Sequence, residues 1–292
     1  MTESAIKVIE YPGFKGVRNT VNPYQLPAGS LVKAQNVLVD KDGRIQSRPG
    51  YEKVIDGASI SSSYATLDHR SLFLIDSGTL FAFIGSTVQP LVSGLTDEPA
   101  HWCEESGERV FMVGGGGAIA IDSRFMVEVI PTVGEPLGGI AFHEARLVMA
   151  VLRDSYTQLV MTVPYDVTQI DEAESSYTIP DTVVGLQSVN GYLVIAGTSA
   201  LWMISPDNTL IRLTDYGCVP GKPIMIGSDK NAYIWTVRGL CRAPEFGNIT
   251  LNLSSVPPGS GAAVNLFDYQ GSRYAVVLND GEGVSYNAVF EV

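Results

Sequence analysis

The residues that could carry out chemistry in this chain are few and widely spaced. Hydrolysis of a glycosidic bond needs two carboxyl groups that face each other across the sugar. The candidate carboxylates are Asp154, Asp166, Asp181 and Glu245, and nothing in their spacing pairs any two of them. The chain has no Gly-x-Ser-x-Gly elbow, and no nucleophile motif accompanies its histidines, which lie in or beside predicted strands. The sequence therefore predicts no catalytic residue and no enzyme activity.

The signals for metal and phosphate chemistry are equally weak. His101 and Cys103 could share one face of a strand as metal ligands, but no second pair completes the four ligands of a zinc site. Cys103, Cys218 and Cys241 are odd in number and far apart, which predicts packed thiols instead of a disulfide framework. Glycines 114–117 precede another predicted strand, not the helix N-terminus that cradles a phosphate, so we expect a tight turn. The sequence predicts no metal and no cofactor.

Tryptophan side chains could stack against a sugar or a base. Trp202 and Trp235 lie inside apolar runs at strand spacing, however, which favours core packing, whereas Trp102 stands outside such a run. Residues 228–235 differ from the Ser-x-Asp-x-Gly-x-x-Trp box of sialidase-like propellers, because the aspartate comes one place early and the glycine is missing. We therefore expect a turn and a strand there.

The composition is typical of a globular protein rich in β-sheet. Of the 292 residues, 45% are apolar and 17% are charged, and the chain has 30 glycines and 16 prolines. The formal charge of −12 argues against tight binding to a phosphate backbone, which clustered Lys and Arg normally provide. No apolar run is long enough to span a bilayer, and residues 1–11 lack the basic and apolar regions of a signal peptide. We expect a protein that has no membrane span and is made in the cytoplasm.

A repeat of short apolar runs organises the chain from residue 56 onward. Each unit begins with a polar lead, continues into an apolar strand and mostly turns into further strands. The six units begin at His69, Glu108, His143, Asn190, Lys230 and Ser272. Their spacing of 35 to 47 residues is close to that of the four-stranded blades of a propeller. The sequence predicts an all-β protein with a β-propeller of about six blades, five or seven being the alternatives.

The segment before the repeat is dense in turn-forming residues and contains one hairpin signal. Asp42 and Gly43 lie between the apolar positions of residues 36–40 and 44–47, which predicts a β-ribbon. A calcium loop that begins at Asp40 would need further oxygen ligands and a closing glutamate, which are missing. Because the last repeat has room for only two strands, we expect this ribbon to complete the final blade and close the ring. The predicted domains are an N-terminal arm with the closing β-ribbon at residues 1–55 and a propeller at residues 56–292.

Residues 14–51 also resemble the opening of a known family. The residues that carry the resemblance are Phe14, Gly16, Asn19, Asn36, Asp40, Asp42, Gly43, Arg48, Pro49, Gly50 and Tyr51. Their order is similar to that in the tail nozzle, or packaged-DNA stabilisation, proteins of short-tailed bacteriophages, in which such an opening leads into propeller-like β repeats. Outside these residues the chain agrees with that family only in architecture, and it is shorter.

The resemblance implies a structural virion protein of the phage tail, made in the host cytoplasm. It implies a homo-oligomeric ring, a hexamer, below the portal and adaptor, which retains DNA and conducts it during ejection with only transient, non-specific contact. Arg18, Arg44 and Arg48 are candidates for docking the ring onto carboxylates of a neighbour, or for pinning the ribbon to the last blade. Because the chain is short, the alternatives are a baseplate or tail component of a long-tailed phage, and secondly a propeller glycan hydrolase or glycan-binding module.

Overall fold

The computed structural model describes residues 37–39, 45–47 and 57–292, apart from gaps at 58, 69, 86, 97, 106–107, 115–116, 131–136, 172–176, 251–258, 270–271 and 282–283. The described residues form strands and turns without any helix, and so contain no helix that could cross a membrane. Two short strands near the N-terminus, β1 (Val37–Val39) and β2 (Ile45–Ser47), pair antiparallel with Val37 opposite Ser47. The predicted ribbon is confirmed in its two strands, and its turn lies outside the described residues.

The remaining strands form six sheets in a ring, a six-bladed β-propeller. Blade one contains β3 (Ile60–Ala65), β4 (Ser71–Asp76), β5 (Thr79–Ile84) and β6 (Thr87–Ser93). Blade two contains β7 (His101–Glu105), β8 (Arg109–Gly114), β9 (Gly117–Asp122) and β10 (Val127–Val129). Blade three contains β11 (Leu137–His143), β12 (Arg146–Leu152), β13 (Thr157–Val163), β14 (Asp166–Ile170) and β15 (Thr178–Ile179).

The second half of the ring has the same antiparallel pattern with one exception. Blade four contains β16 (Val183–Val189), β17 (Tyr192–Gly197), β18 (Leu201–Ile204) and β19 (Leu210–Arg212). The next strand, β20 (Gly221–Lys222), belongs to blade six. Blade five contains β21 (Ile224–Ile226), β22 (Ala232–Thr236), β23 (Gly239–Ala243) and β24 (Gly247–Asn248). Blade six is completed by β25 (Gly261–Tyr269), β26 (Ser272–Gly281) and β27 (Val284–Glu291).

The six predicted repeat units correspond to the second strand of blades one to five, namely β4, β8, β12, β17 and β22, and to the third strand of blade six, β26. Neighbouring blades cover both faces of β8, β12, β17 and β22, which therefore read as almost continuous apolar runs. In β8, for example, Phe111 packs toward blade three and the adjacent Met112 packs toward blade one. The predicted all-β fold and the count of six blades are confirmed.

The predicted closure of the ring by the N-terminal ribbon is corrected by the sheet topology. Strands β1 and β2 form a two-stranded sheet of their own, and blade six runs in the order β20-β25-β26-β27. Strand β25 was not predicted, because this strand begins with Gly261-Ala262-Ala263 and lacks the polar lead of the other repeats. Blade six therefore has four strands without the ribbon.

The innermost strand of blade six, β20, pairs parallel with β25, with Gly221 opposite Ala262. Gly221 has a φ of 118°, a conformation that side chains rarely adopt. A Cβ atom at this position would lie 2.4 Å from the carbonyl oxygen of Ala262. Glycine is therefore required for β20 to approach β25 and to present Lys222 beside it.

Apolar clusters fill five junctions between neighbouring blades. Each cluster combines side chains from the facing sheets, as one sheet cannot bury both of its faces alone. Buried pairs at successive junctions are Phe73 and Met112, Phe111 and Leu147, Leu159 and Ile195, Leu201 and Ile234, and Trp235 and Val277. Cys103, Cys218 and Cys241 are buried as free thiols in these layers, which confirms that they pack as small apolar residues.

Candidate functional site

The residues that carry the family resemblance lie outside the described part of the chain. This holds for Phe14, Gly16, Asn19, Asn36, Asp40, Asp42, Gly43, Arg48, Pro49, Gly50 and Tyr51, and also for Arg18 and Arg44. Of the surrounding segment, only the backbone pairing of β1 with β2 is described. The docking role of the three arginines therefore stays a prediction.

Polar side chains connect neighbouring blades at the turn after the first strand in blades one to five and at the turn between β25 and β26 in blade six. First strands run in the same direction around a propeller, so these turns share one face, which we call the turn face. Between blades one and two, the Leu67 N–H donates to Glu104 Oε2 at 2.8 Å. The hydroxyl group of Tyr64 donates to the same oxygen at 3.2 Å. Glu104 thus holds the first turn of blade one against blade two.

Blades three and four meet through His143, whose Nδ1 lies 2.9 Å from Ser188 Oγ. His143 is buried, and burial lowers the pKa of its imidazole, while the nearby Glu144 acts in the opposite direction. A histidine beside a serine hydroxyl is also the contact that a hydrolase needs. Ser188, however, lies inside the regular strand β16, where it pairs with Leu193, and not on an exposed elbow. The pair therefore acts as a contact between blades.

Polar contacts on the turn face also connect blades four, five and six. Asn190 Nδ2 donates to the carbonyl oxygen of Lys230 at 3.1 Å. Asp229 Oδ1 lies 3.2 Å from Arg273 Nη1 of blade six, and its Oδ2 accepts from Tyr233 at 2.7 Å. Residues 228–231 form a turn and β22 follows, which confirms the prediction of a turn and a strand in place of a sialidase-like box.

The four candidate carboxylates are distributed over different parts of the ring. Asp154 and Glu245 are exposed in blades three and five. Asp166, also in blade three, accepts from the hydroxyl and the backbone N–H of Thr168, and these bonds lower the pKa of its carboxyl group. Asp181 is buried before blade four, and its carboxylate accepts hydrogen bonds from the chain around it. The structure does not bring these carboxylates together in pairs.

The tryptophans considered for ligand stacking and the glycines considered for a phosphate loop lie in the packed sheets and their turns. Trp235 is 1% exposed, and Trp202 packs against the cluster between blades three and four, which confirms the prediction of core packing for both. Trp102 stacks on Tyr64 with ring centroids 5.6 Å apart. Gly114 ends β8 and Gly117 begins β9, which extends over the predicted strand at 118–121.

The two metal candidates, His101 and Cys103, both lie on β7. Cys103 lies in the apolar cluster between blades two and three, and burial raises the pKa of its thiol. Burial, and then the charge of Lys222, lower the pKa of the His101 imidazole. Among the described residues, no group of three or more His, Cys, Asp or Glu side chains could hold a metal ion.

The contact that joins blade six to blade one has no sequence motif. Lys222 Nζ donates to Ser62 Oγ and to the carbonyl oxygen of Ser63, both at 2.9 Å. We call Ser62, Ser63, His101, Trp102 and Lys222 the closure cluster. The residues lie on β3, β7 and β20, and up to 160 positions separate them along the chain, so no local motif could have indicated the cluster.

The fold is similar to those of several solved structures at low sequence identity. Streptogramin B lyase aligns with a TM-score of 0.52 and 10% identity over 88% of this chain and 86% of that chain. Virginiamycin B lyase from Staphylococcus aureus aligns with a TM-score of 0.50 and 11% identity over 82% of this chain and 84% of that chain. An extracellular domain from B. thetaiotaomicron aligns with a TM-score of 0.53 and 12% identity over 82% of this chain, which spans only 34% of that chain.

These likenesses show the propeller fold alone, since identities of this order are found between propellers of different function. No protein-family model matches the sequence, and no curated protein is detectably similar to it.

Proposed function

We propose that this chain is a structural virion protein of a tailed bacteriophage. In this role it forms a ring at the distal end of the portal–adaptor channel, where the ring retains DNA and conducts it during ejection. The observation that carries the proposal is the order of parts. The opening that ends in Arg48-Pro49-Gly50-Tyr51 is followed by a six-bladed propeller, as the resemblance to tail nozzle proteins implies.

The charge of the chain supports this role. A formal charge of −12 repels the phosphate backbone, so passing DNA would not adhere to the ring. The role also needs surfaces that bind neighbouring proteins, not a reactive group. A planar guanidinium forms paired hydrogen bonds with a carboxylate, which makes Arg18, Arg44 and Arg48 suitable for docking.

The proposal is tested by the mass of the purified protein in solution, alone and after mixing with phage particles or portal–adaptor complexes. We expect a hexamer by itself, or a monomer that becomes a stoichiometric ring on the particle. A monomer without affinity for any virion part would refute the proposal, and turnover assays on bacterial polysaccharides would then test the glycan hydrolase alternative.

Substitution of one arginine tests the docking contact. We expect Arg48→Ala to weaken binding to the particle while the protein stays folded. Arg70→Ala is the matched control, because the Arg70 side chain is 85% exposed on blade one, far along the chain from the opening. Equal binding of the two variants would exclude Arg48 as a docking residue.

A further inference from the structure

The ammonium group of Lys222 is partly buried, and the described residues offer it no negative charge. Its two hydrogen bonds go to neutral oxygen atoms, Ser62 Oγ and the carbonyl oxygen of Ser63. No carboxylate of the described residues forms an ion pair with it. Removing a cation from water without a counter-ion costs free energy. Burial accordingly lowers the pKa of Lys222 to about 8.

The hydrogen-bonding groups around this ammonium are only partly used. Ser62 Oγ accepts from Lys222 and from Trp102 Nε1, at 2.9 Å each, and donates to the carbonyl oxygen of Ala100, which fills its capacity. Lys222 has three N–H groups, and two of them are engaged within the described residues.

The imidazole of His101 on β7 is near enough to Lys222 for the charge of the lysine to affect its pKa. Burial and the charge of Lys222 lower the pKa of its imidazole to about 4. The ring is therefore uncharged near neutral pH and carries one N–H donor. The closure cluster thus combines one positive charge with neutral donors.

The cluster can be reached from solvent. Ser63 and Gly221, which flank the ammonium group on β3 and β20, are both exposed, and Lys222 and His101 are partly exposed. A small group could approach Lys222 without separation of blades six and one.

We propose that the closure cluster binds a carboxylate, with the Lys222 ammonium as its counter-ion. A single negative charge balances the single positive charge, whereas a dianionic phosphate would leave an uncompensated charge in a partly buried place. The carboxylate belongs either to a small organic acid or to an acidic side chain of a protein neighbour. Binding there joins the ligand to both ends of the propeller, since it touches blades one, two and six.

The direct test is competitive labelling of the wild-type protein with 1-fluoro-2,4-dinitrobenzene, which reacts with neutral amines. The extent of labelling at Lys222 and at the exposed Lys230 is read by peptide mass spectrometry, with sodium acetate or sodium chloride at equal ionic strength. A bound carboxylate favours the charged ammonium. A rise of one pKa unit would slow labelling of Lys222 at about pH 8 by about fivefold, because the neutral fraction of the amine would fall from about one half to about one tenth. Labelling of Lys230 should not change.

Two further probes identify the source of the carboxylate. The first is the capped peptide acetyl-Gly-Glu-Gly-amide, and the second is inorganic phosphate. If the peptide protects Lys222 at a lower concentration than acetate does, the site is assigned to a protein side chain. If acetate protects at the lower concentration, the site is assigned to a free acid. Stronger protection by phosphate than by either carboxylate, or no protection by any probe, would overturn the proposal.

A variant pair checks that the lysine itself is responsible. Lys222→Met keeps most of the length of the side chain and removes its charge. Acetate should raise the urea midpoint of unfolding of the wild type and should have no such effect on Lys222→Met. Lys230→Met should keep the wild-type response. An acetate response in Lys222→Met equal to that of the wild type would also overturn the proposal. If Lys222→Met does not fold, the labelling of the wild-type protein decides alone.

Discussion

Replacement of Asp181 by alanine should be among the most destabilising single changes in the propeller. Asp181 Oδ2 accepts from the Ala200 N–H at 2.9 Å and from the Ser199 N–H at 3.0 Å. Its Oδ1 accepts from the Thr182 N–H at 2.8 Å and from the Thr198 hydroxyl at 3.0 Å. One buried carboxylate therefore holds the start of β16 against the turn between β17 and β18.

The expected loss follows from the exposure of each donor. The Ala200 N–H is buried, and a buried donor without an acceptor costs about 1–3 kcal/mol. Thr182 and Ser199 are exposed, so water can replace part of their bonds, and each bond lost there costs about 0.5–1.5 kcal/mol. We expect Asp181→Ala to lower the free energy of unfolding by about 3–5 kcal/mol in total.

The assay is urea unfolding followed by tryptophan fluorescence, since Trp235 is 1% exposed and reports on the core. Asp154→Ala, at an exposed aspartate of blade three, is the matched control and should stay within about 0.5 kcal/mol of the wild type. Asp181→Asn, which keeps one acceptor oxygen, should fall between the two. The reasoning is refuted if Asp181→Ala is no less stable than Asp154→Ala.

Two further changes test the closure of the ring and its dependence on pH. Gly221→Ala should destabilise by about 1–3 kcal/mol because of its positive φ and the approach of Ala262. Gly247→Ala, where a Cβ atom meets nothing within 4 Å, should be nearly neutral in the same urea titration; equal effects would contradict the close approach. Burial, and then the charge of Lys222, lower the pKa of His101 from 6.5 to about 4, so the unfolded chain binds the proton more readily between these values. The free energy of unfolding should therefore fall as pH is lowered from 6.5 toward 4, and His101→Gln should show a shallower fall; the same slope in both proteins would exclude the histidine.

The part of the fold that the sequence predicted is the part with both sheet faces buried. The strand β12 (Arg146–Leu152) is apolar at almost every position, so the pattern is visible without knowledge of its neighbours. The inner strand β3 reads Ile-Ser-Ser-Ser-Tyr-Ala, and β20 has only two residues, so neither gives a periodic signal. The closure was predicted wrongly for the same reason, because the end of the ring depends on these weak strands.

The candidate site, too, could be predicted only in part from the sequence. The sequence could indicate that isolated aspartates and glycines lack the partners of a catalytic or phosphate site, because those partners are expected at fixed spacings. It could not indicate the closure cluster, because Lys222 and Ser62 meet only when the first and last blades come together. Contacts of this kind are fixed by topology and carry no local motif.

The order of the strands in blades five and six limits how this protein could have changed its size. Repeat proteins commonly gain or lose whole units, because each unit contacts mainly its neighbours. Here β20 is placed in blade six before the chain builds blade five, and β25 returns to it afterwards. Excision of blade five would have to spare a two-residue strand on one side and three strands on the other, and deletion of the C-terminal strands would leave β20 without its partner. The last two blades are therefore interleaved along the chain, whereas each of the first four is built from one continuous segment.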